Sequence, residues 1–322
     1  MGLLAQAPST AYKLGVDGIQ AIESGETSAG IKLLKEAWSL EPSSYDYPFE
    51  IGRALLLEDN AKKAEKYLFP LQYHQNVQPD LYIHLADCYK QIDEEKKTPD
   101  QNRKKELDAL RYGIQKLPDA GELYLELGKR KIEMEQHLDA LSVFESGIAN
   151  APNFADNYFW AAKLMKASSN PLWTWIYAEL FINISDNDEM IRTAMELAAT
   201  AQEKVFSGSW KADPEKMDQE LQYLLSKNCT SNLSGTDRTF EMRRCIMNEW
   251  RGTAFAIAPL IKRFDELEQN GFLDAYSGSL MLQSNKEAFL AWLASNGERY
   301  EAFRRWRFYN PMFITEPVKR VN

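Results

Sequence analysis

Histidine and cysteine are the side chains best suited to bind a metal or attack a substrate, and this 322-residue sequence holds three of each. His74, His84 and His137 lie far apart, and no His-x-x-x-His or Cys-x-x-Cys pair exists, so the spacing offers no dedicated metal site. A Gly-x-x-x-x-Gly-Lys phosphate loop, a Gly-x-Gly-x-x-Gly turn after a strand and a Gly-x-Ser-x-Gly elbow are all missing. Acidic pairs such as Glu94-Glu95 and Asp265-Glu266 are ordinary on solvated helices. The expectation is a non-catalytic protein with no cofactor and no metal.

Charge narrows the partner class. The formal net charge is −9, the wrong sign for gripping a phosphate backbone. Residues 189–322 carry 18 basic and 18 acidic side chains, leaving 20 basic against 29 acidic in residues 1–188. One segment runs against this trend. Between Glu298 and Tyr309, Tyr300, Phe303, Trp306 and Phe308 interleave with Arg299, Arg304, Arg305 and Arg307. Such a mixture grips nucleic acid or an anionic membrane in some proteins. Here residues 300, 303 and 306 share one face at helical spacing, so a helix docked on a core as a terminal cap is the favoured reading. No run of roughly 20 apolar residues exists to span a bilayer.

The cysteines bear on compartment. Cys88 is isolated, whereas Cys229 and Cys245 bracket the polar loop NCTSNLSGT at 228–236. The N-terminal Ala5-Gln6-Ala7 fits a small-x-small cleavage pattern after a short apolar stretch. A truncated signal peptide on a periplasmic or otherwise exported protein is expected, with a cytoplasmic protein as the alternative. In an exported protein Cys229 and Cys245 would pair; in the cytoplasm both would stay reduced.

The elements carrying these residues repeat with a period of 34. Residues 121–154 place Tyr124, Leu127, Gly128, Ala140, Phe144, Gly147 and Pro152 at positions 4, 7, 8, 20, 24, 27 and 32. Residues 11–44 match with Leu14, Gly18, Gly25, Gly30, Leu34, Ala37 and Pro42 at positions 4, 8, 15, 20, 24, 27 and 32, and residues 45–78 with Ile51, Gly52, Leu55, Ala64 and Leu68. A copy from Pro79 has its second helix displaced by the polar insert at 94–101, and a fifth begins at Ala155 and loses regularity after Asn170-Pro171. Small residues sit where two helices of a pair must cross closely, and proline closes the pair because it lacks an N–H and disfavours helix in the residue before it.

At these residues the chain resembles the tetratricopeptide repeat proteins over roughly 11–188. The segments 170–185 and 275–311 are similar to repeat proteins of Bacteroidetes-type bacteria. The resemblance implies an all-α fold, a right-handed α-solenoid of about five TPR-like helix pairs followed by a helical C-terminal capping region. The expected organisation is a disordered remnant at 1–10, repeats at 11–188 and a helical C-terminal domain at 189–322, with helices over 189–206, 237–250, 272–283, 285–295 and 298–309. No period-two strand pattern appears.

The resemblance also implies a function: binding a protein or peptide on the concave face lined by the first helix of each pair. Positions 5 and 9 of those helices hold Phe49, Arg53, Ile83, Asp87, Leu125, Lys129, Phe159 and Lys163, which form the expected partner-binding groove. The same apolar residues would instead be core if they pack against neighbouring helices. Position 2 carries Asp46, Asp80, Glu122 and Asp156, which a helix macrodipole explains without a ligand. The clamp that some family members use for a C-terminal carboxylate is argued against, because its positions hold Gly15, Ile19, Asp80 and His84. A competing reading places an enzyme or small-ligand site beside Trp160, Trp173, Trp175 and Tyr177.

Overall fold

The computed structural model describes residues 8–97, 101–168, 170–206, 241, 243–245, 248, 258–284 and 286–315. Every regular element among them is helical, and none is long and apolar enough to cross a membrane. The chain forms two compact units, one reaching to Arg130 and the other starting at Lys131.

The first unit contains α1 (Thr10–Glu23), α2 (Thr27–Leu40), α3 (Asp46–Leu57), α4 (Ala61–Leu68) with a 3-10 turn at Phe69–Tyr73, α5 (Pro79–Lys96), α6 (Arg103–Lys116) and most of α7 (Gly121–Glu133). The 34-residue register reappears as recurring geometry. A Cβ placed on Gly30 would lie 2.5 Å from the carbonyl oxygen of Gly18, and one on Gly52 would lie 2.5 Å from Leu68. The paired helices therefore approach to a distance that only a missing side chain allows.

The turns repeat as well. Gly25, Asp59 and Glu135, all at position 15, take left-handed φ values of 88°, 52° and 58°. The residue after each donates its N–H back across the helix end, from Glu26 to Ala21, Asn60 to Leu55 and Gln136 to Lys131. This bonding closes a helix through a left-handed residue. Before Pro42, Pro118 and Pro152, the residues Glu41, Leu117 and Ala151 share φ near −130° (−129°, −132° and −129°), as a following proline demands. Tyr124 donates its hydroxyl to the Pro118 carbonyl at 3.0 Å, and within the second unit Tyr158 does the same to Pro152 at 2.9 Å.

The second unit contains α8 (His137–Asn150), α9 (Asp156–Ala167), α10 (Pro171–Ile184), α11 (Asp188–Phe206), α12 (Ala258–Gln269), α13 (Leu273–Ser284) and α14 (Lys286–Tyr309). Asn170 caps α10 by accepting from the Trp173 N–H, and Pro171 follows where its missing N–H costs nothing. From Pro171 to Asn183 every residue of α10 is buried, so it is the central rod of this unit, as a helix apolar on all sides must be. Helix α11 packs on both α9 and α10. The boundary expected at 188/189 therefore falls inside one core, and the compact units part at 130/131 instead.

Gly271, with φ of 72°, ends α12 as the Asn270-Gly271 pair implies. The two helices expected at 285–295 and 298–309 form one, kinked at Asn296 (φ −131°, ψ 18°). The loop at 228–236 and its Cys229, most of the helix expected at 237–250 and residues 1–7 of the N-terminal remnant lie outside the described residues.

Candidate functional site

Two groups of side chains stand out, one in each unit. In the first unit, the exposed sides of α3, α5 and α7 border a cavity of about 360 Å³ lined by Arg53, Leu57, His84, Asp87, Lys90 and Arg130, among others. Phe49 lies half-buried on the same face, stacked on Tyr45 at 5.5 Å and against His84 at 5.6 Å. Burial pushes the Tyr45 phenol up to about 12, against a hydrogen bond from the Gln78 N–H. Leu57 is 69% exposed although nothing in the helix requires it.

The charges of this face are organised. Arg53 donates to Glu50 at 2.7 Å. Arg130 bridges Asp87 on α5 and Glu106 on α6, the latter at 3.0 Å, and Arg103 adds a second cation at 3.3 Å from Glu106. Arg130 and Glu106 are both buried, so this pairing fixes one wall of the cavity. The sequence reading missed both. Their one signal was a charged side chain on the buried face of a helix, Glu106 next to Leu107 and Leu110.

The expected groove residues divide. Arg53 and Asp87 line the cavity, Phe49 and Ile83 are half-buried, and Lys129 is half-buried beside Glu126 at 2.9 Å. Leu125 and Phe159 are corrected: they are 6% and 7% exposed and belong to the core. Phe159 packs on Phe181 at 5.1 Å because α10 covers it, and Lys163 lies over Trp160 at 4.2 Å.

The second group is the buried polar core of the second unit. Glu179, in the middle of α10, is fully buried. Its Oε1 accepts from Trp175 Nε1 at 2.6 Å and from Arg243 at 2.6 Å; its Oε2 accepts from Arg243 at 2.8 Å and from the Tyr276 hydroxyl at 3.2 Å. A carboxylate has about four acceptor sites, and all are taken. Arg243 is 1% exposed and lies over the rings of Phe264 at 4.8 Å and Tyr276 at 5.4 Å. Burial opposes its charge, but Glu179 outweighs burial and holds it above the ordinary arginine value. Burial likewise pushes the Tyr276 phenol far up, and the Glu179 charge adds to it.

Asn183, one turn along α10, continues the network. Its amide donates to the Glu179 carbonyl at 2.8 Å and the Tyr276 hydroxyl at 2.9 Å, and it accepts from Arg263 at 3.3 Å. Trp173, Trp175 and Tyr177 are solid packing around this network. Among the described residues, the polar groups of Trp175, Glu179, Asn183, Arg243 and Tyr276 bond to one another.

No protein-family model matches the chain, and no curated protein matches it. Among solved structures it is similar to MamA, at 17% identity over 64% of this chain and 98% of that one, with a TM-score of 0.39. It is also similar to TTC0263, a thermophilic TPR protein of Thermus thermophilus (15% identity, 60% of this chain, 98% of that chain, TM-score 0.42). A third is YrrB, described as a TPR protein with an unusual peptide-binding site (15%, 57%, 91%, 0.37). The fold is that of the tetratricopeptide repeat. The recurring position-15 turns, the pre-proline helix ends and the glycine crossings carry that assignment. In the 34-residue register Phe49, Arg53, Ile83 and Asp87 occupy positions 5 and 9 of successive first helices.

Proposed function

We propose that this TPR chain is a non-catalytic scaffold that holds a protein or peptide on the first-helix face of its first unit. The observation that carries the reading is the 360 Å³ cavity there, walled by the buried Arg130 pairings and rimmed by the 69%-exposed Leu57 and half-buried Phe49. A rigid polar wall beside apolar side chains left in water is the composition of a recognition surface. The partner is a polypeptide segment that places an apolar side chain against Phe49 and Leu57. The reading of an enzyme or small-ligand site near Trp175 gains no support, since the carboxylate there has all its acceptor sites filled by protein donors. The N-terminal Ala5-Gln6-Ala7 and the Bacteroidetes-type resemblance support an exported, periplasmic location.

The test is affinity capture from the source proteome, followed by titration of the captured partner. Phe49→Ala with Leu57→Ser is expected to weaken binding about tenfold, near 1.4 kcal/mol, with helical circular dichroism unchanged. Leu138→Ser, an exposed position on α8, serves as the control. A partner held equally by all three proteins removes the proposal.

A further inference from the structure

The second unit presents a different surface at the end of the described chain. After α14 the residues 310–315 form a strap without helix, and burial alternates along it. Met312 and Ile314 are 8% and 2% exposed, while Phe313 between them is 74% exposed. The anchors alternate too. Arg263 donates to the Asn310 carbonyl at 2.7 Å, the Met312 N–H reaches the Asn183 carbonyl at 3.4 Å, and the Asn153 side chain bonds both main-chain groups of Ile314 at 2.7 and 2.9 Å. Every anchor falls on an even residue. Among the described residues, the N–H and C=O of Phe313 bond to nothing. The strap is thus fixed in place while one residue offers both its main-chain groups and its ring outward.

Between this strap and α12 lies a groove of about 450 Å³, lined by Pro259, Lys262, Glu266, Pro311, Phe313 and Thr315, among others. Phe308 and Tyr309, at the end of α14, are 79% and 77% exposed. Folding gains nothing from aromatic rings held in water, and exposed apolar surface marks an interaction site. The cations lining the groove are Lys262, which is exposed, and Arg263, which engages Glu266 at 3.0 Å, so Lys262 is the charge presented to a ligand.

We propose that the groove between α12 and the 310–315 strap binds an extended acidic segment of a partner protein, its main chain pairing with Phe313. An apolar side chain of that segment lies against Phe313 and Pro259, and a carboxylate meets Lys262. Pairing an extended peptide to a free main-chain edge is an established recognition mode. A second copy meeting the groove through the same face would bring Lys262 against Lys262. The chain's own residues 316–322 carry Lys319 and Arg320 against Glu316, which is also the wrong sign. The proposal stands apart from the first-unit cavity.

The experiment is fluorescence anisotropy on the full chain with a labelled peptide alternating glutamate with valine and phenylalanine, and a counterpart with lysine for every glutamate. The acidic peptide is expected to bind saturably and the lysine peptide about tenfold more weakly. Lys262→Glu is expected to weaken the acidic peptide about fivefold. Phe313→Ala tests the ring. Phe313→Pro additionally removes the main-chain donor and is expected to weaken binding beyond the alanine variant. Thermal melts of the variants confirm the fold. Four outcomes overturn the proposal: no saturable binding, equal binding of the two peptides, Phe313→Pro no weaker than Phe313→Ala, or phosphatidylglycerol vesicles bound through the same residues while the peptide is not.

Discussion

Replacing Glu179 by glutamine keeps the shape of the side chain and an oxygen to accept from Trp175 or Tyr276, but it removes the charge facing Arg243. That guanidinium is 1% exposed, so neither water nor salt reaches it. Breaking a buried pair by neutralising one member costs about 3–5 kcal/mol, because the other charge is left without compensation. The rings of Phe264 and Tyr276 soften this, and the lower end of the range is expected. For a unit of this size about 3 kcal/mol lowers the melting temperature by about 6–12 °C. Seven of the eight tryptophans, all but Trp38, fall in the second unit, so tryptophan fluorescence during denaturant or thermal unfolding follows that unit. The decisive measurement is the double variant Glu179→Gln with Arg243→Met. Removing the cation should restore much of what Glu179→Gln lost, because a buried pair is worth little against apolar packing even though half of one is expensive. A double variant as unstable as the sum of the two singles, or a Glu179→Gln that costs under about 1 kcal/mol, would refute the view that Arg243 depends on this carboxylate.

Four further outcomes are expected. Gly30→Ala must move its new Cβ from 2.5 Å to at least 3.0 Å from the Gly18 carbonyl oxygen, and despite alanine's better helix propensity it should destabilise the first unit by about 1–3 kcal/mol in chemical denaturation; an unchanged midpoint would contradict the crossing. Tyr82 and Tyr89, like Tyr45, are each raised from 10.0 to about 12, chiefly by burial. Their neutral forms therefore stabilise the fold fully below pH 10, and that contribution disappears as pH climbs towards 12; a variant with Tyr45, Tyr82 and Tyr89 all replaced by phenylalanine that loses stability between pH 10 and 12 as steeply as the parent chain would sink this reading. Cys88 is a buried free thiol pushed up to about 12 by burial, so it should resist a thiol reagent at neutral pH until the protein unfolds. Cys245 is disulfide-bonded, and we propose Cys229 as its partner; peptide mapping without reductant should find that pair, a loop of about 15 residues contributing about 3 kcal/mol in the chain-entropy model, whereas a Cys88 link would overturn both expectations.

How much of this was legible in the sequence follows from the range over which each feature is determined. The repeat register rests on contacts between residues a few tens apart, and its markers are residue types with one physical use: glycine where backbones touch, proline where a helix stops, a left-handed residue at position 15. Even there the types are not unique. Asp59 and Glu135 hold the same left-handed turn as Gly25, and nothing in their residue types marks it. The groove residues were half legible for the same reason. Position 5 is half-buried at Phe49 and Ile83 but buried at Leu125 and Phe159, and the cover over Phe159 comes from Phe181 on α10, which the repeat spacing does not foretell. Glu179 was not legible at all. It lies in the run IYAELFINI, where a lone acid reads as a surface position, and its partners lie 64 and 97 residues away at Arg243 and Tyr276. A single carboxylate in a helix otherwise buried on every side was nonetheless a physical contradiction, since a bare charge cannot remain there. The sequence of α10 therefore demanded a buried cation without saying which one, and that demand is the signal by which such a core can be found.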